Sequence, residues 1–158
     1  MKSIGIGYRQ RVFGRSDADA DQPEAATVLG RLAQDGFLWP HKSSDRRRQN
    51  DLLREAGEFY LKTRTAAQKA MLVKPIASAG NLERAGGFDG SDGADPDYVE
   101  RCRRAIQVND DLRNAIYVRA GWQAVYAVDL TVWSDFSPRE PDHLRNGLKA
   151  IRSFMDAS

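Results

Sequence analysis

The stretch SDRRRQNDLLREAGEFYLKTRTAAQKAM, Ser44–Met71, is the longest uninterrupted helical pattern in the chain. Leu52, Leu53, Ala56, Phe59, Tyr60, Thr63, Ala67 and Met71 recur at spacings of three and four, which stacks them on one helix face. Arg47, Arg54, Glu58, Lys62 and Lys69 fall on the opposite side. Ser44 or Asp45 can cap the start, because a short oxygen-bearing side chain accepts from the orphan N–H groups of the first turn. A long rod with one apolar stripe must be covered, and the rest of the chain supplies shorter helices to cover it. The pattern predicts a mainly α fold, a single-domain bundle of about five helices.

Upstream, a first helix is expected over about Pro23–Asp35, where a proline suits the first turn. Ala26, Val28, Leu29, Leu32 and Ala33 form its stripe, and Gly36 ends it as a left-handed cap. Phe37, Leu38 and Trp39 then tuck beneath the two helices, with His41 and Lys42 in the loop. Gly30 and Gly57 lie inside helices, where glycine costs ~1 kcal/mol relative to alanine. Close approach of two backbones is the reason for such placements, so the two helices are predicted to cross near these glycines.

Downstream, KPIASAGNLERAGGFDGSDGADP is rich in Gly, Ala, Ser and Asp and reads as a long mobile loop over about residues 74–95. A third helix opens at Asp95-Pro96-Asp97, which supplies a cap, a first-turn proline and a first-turn acid. Val99, Cys102, Ile106, Leu112 and Ile116 form its inner face, but the phase slips near Val108–Asp111, as at a kink between two helices. Gly121 is the next break. Trp122–Trp133, WQAVYAVDLTVW, fits both a strand and a buried helix. No partner strand is visible, and a lone strand cannot satisfy its backbone, so a helix is expected. Pro141–Met155 is the last helix.

The chain has 158 residues, enough for one domain with a real core. Hydrophobic residues make up 41% and charged residues 29%, which excludes a disordered composition. A single cysteine, Cys102, cannot form an internal disulfide and suggests the cytoplasm. No apolar run approaches the ~20 residues that span a bilayer, so no membrane association is expected. Net charge is +2 but uneven: residues 1–75 hold 14 Lys/Arg against 9 Asp/Glu, and residues 76–158 hold 10 against 13. A basic half is compatible with an anionic partner. The first 20 residues read as a flexible basic arm in which Arg9, Arg11 and Arg15 interleave with Tyr8, Val12 and Phe13; residues 21–158 make up the helical domain.

Catalytic and metal motifs are missing. There is no H-E-x-x-H, no C-x-x-C and no G-x-x-x-x-G-K-[ST]. His41 and His143 have no companion ligands. A calcium-loop count from Asp89 to Glu100 fails, because Ser91 and Gly93 stand where Asp or Asn belongs and Ala94 where the glycine belongs. No cofactor or metal is expected, and no enzyme. A pocket bringing Asp129 and Asp135 beside Arg119 would argue otherwise.

The strongest signal is the run Arg46, Arg47, Arg48 at the start of the long helix, followed by Gln49 and Asn50. Cations at a helix N-terminus oppose the macrodipole, so their placement there hints at an anionic partner. A helix–turn–helix arrangement would use these arginine, glutamine and asparagine side chains to read bases. Arg46, Arg47, Arg48 and Arg54, with Arg9, Arg11 and Arg15 of the arm, are therefore the expected nucleic-acid contacts, DNA in preference to RNA. The alternative is a protein-interaction module: Trp122, Tyr126 and Trp133 exceed what one helix face need bury, and would meet a partner or a second copy in a homodimer.

Leu29-Gly30-Arg31-Leu32, then Gly36, then Glu55-Ala56-Gly57-Glu58-Phe59-Tyr60, resembles an uncharacterised bacterial and phage helical domain with an L-G-R-L…G segment and A-G-x-x-[FY]. Ala124-Val125, Val128, Val132 and Leu144-Arg145-Asn146-Gly147-Leu148-Lys149-Ala150-Ile151 extend the likeness, which touches roughly residues 27–155. His41–Gln49, with the arginine run, is an insertion relative to that pattern. The resemblance implies a regulatory or nucleic-acid role, since such domains accompany DNA-binding regions in some proteins, and it brings no catalytic residues.

Overall fold

The computed structural model of the chain describes residues 26–42, 44–72 and 96–157. Among them are five α-helices: α1 (Val28–Gln34), α2 (Arg46–Leu72), α3 (Pro96–Ala120), α4 (Trp122–Val128) and α5 (Pro141–Ala157). A π-helical segment, Asp129–Trp133, continues directly from α4. The described residues are mainly helical and contain no strand, as the periodicity predicted. The basic arm, the loop over 74–95 and residues 89–95 of the failed calcium count lie outside the described residues.

Both ends of α1 are fixed by side chains and turn chemistry. Thr27 is extended, and its hydroxyl accepts from the Gly30 N–H at 3.0 Å. A second cap comes from far along the chain: the Asp135 carboxylate accepts from the Val28 N–H at 2.7 Å. Asp135 sits at φ +57°, a left-handed conformation that aspartate tolerates. At the other end Gly36, at φ +71°, donates to the Ala33 carbonyl, and Phe37 N–H donates to that of Leu32. This pair of bonds reverses the chain and satisfies two of the last helical carbonyls.

The two long helices α2 and α3 pack on each other, and α5 packs against α2, α3 and α4. Leu53, Ala56 and Tyr60 of α2 meet Leu112 and Ile116 of α3 and Leu144, Leu148 and Ile151 of α5 in one buried cluster. Each fully buried Leu or Ile contributes about 1.5–3 kcal/mol by leaving water. α1 and α2 do pack at Gly57, but through a side chain rather than backbone against backbone: a Cβ there would fall onto the Leu29 side chain of α1. Gly30 and Gly57 line one narrow cavity between these helices.

Two sequence expectations are corrected. The phase slip near Val108–Asp111 is not a kink between two helices: α3 runs unbroken from Pro96 to Ala120. Asn109, only 1% exposed, occupies the inner position there and reads as a gap in an apolar pattern. Cys102 is half-buried rather than enclosed. The ambiguous stretch is helical, but its second half is wound as a π-helix, with Ser134 N–H donating to the Asp129 carbonyl five residues back.

Candidate nucleic-acid interface

The three arginines opening α2 meet three different surroundings, because successive helical residues point about 100° apart. Arg46 folds back onto the end of α1, where its Nη2 donates to the carbonyls of Gly36 at 3.3 Å and Asp35 at 3.5 Å. Those carbonyls carry the negative end of the α1 dipole, so the guanidinium is already matched to a partner inside the molecule. Arg47 and Arg48 project into solvent, and neither has a carboxylate partner among the described residues. Arg54, one of the expected contacts, is instead paired with Glu58 one turn on, at 2.5 Å. Arg9, Arg11 and Arg15 lie outside the described residues. The expected set narrows, within the described chain, to Arg47 and Arg48.

Sequence reading missed a second group of cations, around the loop after α1. The loop after α1 presents Phe37, 50% exposed, and the half-buried Trp39. The Arg145 guanidinium lies 6.0 Å from the Phe37 ring centroid, and its Nε donates to the Phe37 carbonyl at 2.8 Å. The Lys149 ammonium stands 4.9 Å from the Trp39 ring centroid, with His41 edge-on to the same ring at 5.3 Å. Lys149 also shares a surface depression with Arg119, Asn146 and Ser153. Lys42, Arg119 and Lys149 are exposed and have no carboxylate partner among the described residues; Arg145 also pairs with Asp142 at 2.5 Å. The signal available in sequence was the i,i+4 spacing of Arg145 and Lys149 on one face of α5, which carries both to the same loop.

Asn50 holds this surface in shape. Its side chain is 2% exposed, so it cannot read a base, contrary to the helix–turn–helix expectation. Its Oδ1 accepts from the Trp39 N–H at 3.0 Å, while Nδ2 donates to the Arg46 carbonyl at 2.8 Å and the Trp39 carbonyl at 3.4 Å. A loop that would otherwise leave polar backbone against the core is thereby satisfied.

A second polar cluster lies deeper. Tyr60 of α2 donates its hydroxyl to Asp129 Oδ1 at 2.5 Å and accepts from Arg113 Nη1 at 2.8 Å. Arg113 also donates to both Asp129 oxygens at 2.8 and 2.9 Å. Arg64 approaches Asp129 at 3.9 Å and covers the Trp133 ring. Burial, then the hydrogen bond to Asp129 and its charge, push the Tyr60 hydroxyl well above its ordinary value. Burial works against the Arg113 charge, but the bonds to Asp129 and Tyr60 outweigh it and hold the group above its usual range. The cluster ties α2, α3 and the π segment together.

The residues weighed for catalysis are scattered. Asp129 belongs to this cluster, Asp135 caps α1, and Arg119 lies in the depression beside Lys149. The three expected partner-binding aromatics are divided as well. Trp122 and Tyr126 are exposed one turn apart on α4, whereas Trp133 is half-buried under Arg64. Among the described residues no helix is long and apolar enough to cross a membrane. No family model, curated protein or solved structure matches the chain.

Proposed function

We propose that the protein is a non-enzymatic, nucleic-acid-associated regulatory protein that holds phosphates with Arg47 and Arg48. The observation that carries this reading is the exposure of both guanidiniums, without carboxylate partners among the described residues, at the end of α2 whose dipole disfavours them. Two free cations at such a position lower the energy of a bound polyanion more than they stabilise the helix. Lys42 and the Phe37 ring, in the loop that precedes α2, are also exposed, and charge with aromatic surface suits phosphate and base contact. DNA is the favoured partner, because the major groove of the B-form duplex admits a helix end and that of A-form RNA does not.

The test is fluorescence anisotropy on a labelled duplex between 50 and 200 mM salt. Binding is expected to weaken linearly in log–log form, since each neutralised phosphate releases about 0.9 counterion. Replacing Arg47 and Arg48 together by alanine is expected to reduce that slope by about two. Arg54→Ala, which breaks only the pair with Glu58, is expected to leave it unchanged. No binding at 50 mM salt, or a slope that the double variant does not alter, overturns the reading.

A further inference from the structure

Trp122 and Tyr126 are 64% and 59% exposed and rise from the same face of α4. Beside them is an open groove of about 400 Å³, walled by the two rings together with Ala127, Leu130, Pro138 and His143. Arg139 and Glu140 stand at its edge. Arg139 is exposed and has no carboxylate partner among the described residues, while Glu140 is exposed and reaches only His143, at 2.7 Å. Large aromatic rings held in water beside an apolar hollow with a charged rim mark an interaction surface.

We propose that this surface is covered by a second copy of the chain in a two-fold dimer. The patch carries both the raised rings and the hollow that would receive them, so one surface can be its own complement. Two-fold symmetry requires that kind of self-matching, with residue i on j and j on i. The rim charges fit the same operator. Arg139 and Glu140 are adjacent and opposite in sign, so when two such segments pass antiparallel, Arg139 meets the partner's Glu140 twice. The rings and groove walls form a small patch, well below the ~800 Å² per partner of a tight complex. The dimer is therefore a weak one, exchanging with monomer at roughly 10–100 μM. Arg47 and Arg48 play no part in it.

Sedimentation velocity on the full chain from about 5 to 500 μM, without nucleic acid, brackets that range. The weight-average sedimentation coefficient is expected to rise from monomer towards dimer. Trp122→Ala, at a solvent-exposed position that leaves the helical circular dichroism intact, is expected to weaken association by at least about tenfold. Arg139→Glu and Glu140→Arg are each expected to weaken it by roughly three- to tenfold, since each places like charges together twice. The double variant R139E/E140R re-creates both pairs with the signs exchanged, and is expected to return to within about threefold of the parent. A strict monomer up to 500 μM overturns the proposal. So does a dimer indifferent to Trp122→Ala, or a double variant no better than the single ones.

Discussion

Asn50 lies two residues beyond the arginine run, and its role depends on a partner that sequence does not name. A polar residue on an inner helix face is legible as an anomaly, but nothing in the helix itself says that the backbone of Trp39 fills its hydrogen-bonding positions. The same limit applied to Arg46, Arg47 and Arg48. Their cluster was plain in the sequence; its division between the carbonyls of α1 and open solvent depends on where Gly36 is placed by the fold. Asn50→Ala would strand the Trp39 N–H against the core and leave a small void. A cost of about 2–3 kcal/mol is expected, read as a lower urea midpoint with unchanged m-value. On nucleic acid the variant separates positioning from contact: affinity is expected to fall while the salt slope stays at the parent value, because no phosphate-neutralising group has been removed.

At the scale of elements, starts and stops were the most legible features. Gly36 and Gly121 both sit at positive φ where the helices break, and proline opens both α3 and α5. The long helix ends within a residue or two of its predicted limits. The failures share one cause: a rule that sorts residues into apolar and polar misreads any inner position filled by a polar side chain. Asn109 produced a false kink in this way. The π segment produced a false choice between strand and helix, since its wider turn shifts the facing register and buries Thr131 together with Val132. That shift also separates Trp133 from Trp122 and Tyr126 and turns Asp129 toward Tyr60. The Tyr60 hydroxyl thus becomes a pH-sensitive link between α2 and the π segment. Its folded value lies above the ordinary 10.0 of a tyrosine, so above pH 10 the unfolded chain binds fewer protons than the folded one and stability falls with rising pH. The link is fully present below pH 10. Tyr60→Phe is expected to cost about 1 kcal/mol at neutral pH and to have a flatter alkaline limb in the stability–pH curve. The difference in slope between parent and variant approaches at most ~1.4 kcal/mol per pH unit. Parallel alkaline limbs would show that Tyr60 is not the group responsible.

At the scale of the whole molecule, cations without a carboxylate partner among the described residues come from both the basic first half and the acidic second half of the chain. Arg47 and Arg48 come from the first half, while Lys149 and Arg119 of the second half share a depression, and Lys149 covers the Trp39 ring of the loop that Asn50 ties to α2. Charge summed along a chain says nothing of which cations end up near which rings; the packing of α5 against α2 and α3 is what brings Lys149 to the Trp39 ring. The basic surface and the Trp122–Tyr126 groove are built from different residues, so their effects can be separated by substitution. If both act as proposed, a dimer presents two phosphate-binding faces and gains from a second, intramolecular contact only when the duplex is long enough to reach both. On a duplex of about 40 base pairs, binding is expected to be cooperative and Trp122→Ala to weaken it by at least about tenfold. On a duplex of about 10 base pairs, one helical turn, Trp122→Ala is expected to bind like the parent, because one protomer occupies it. The double alanine variant at Arg47 and Arg48 should weaken both, and the long duplex more, since it removes phosphate contacts from two protomers there and from one on the short duplex. Anisotropy titrations of both duplexes at one salt concentration decide the matter. A Trp122→Ala protein that follows the parent on the long duplex as well would mean that the groove and the basic surface work independently.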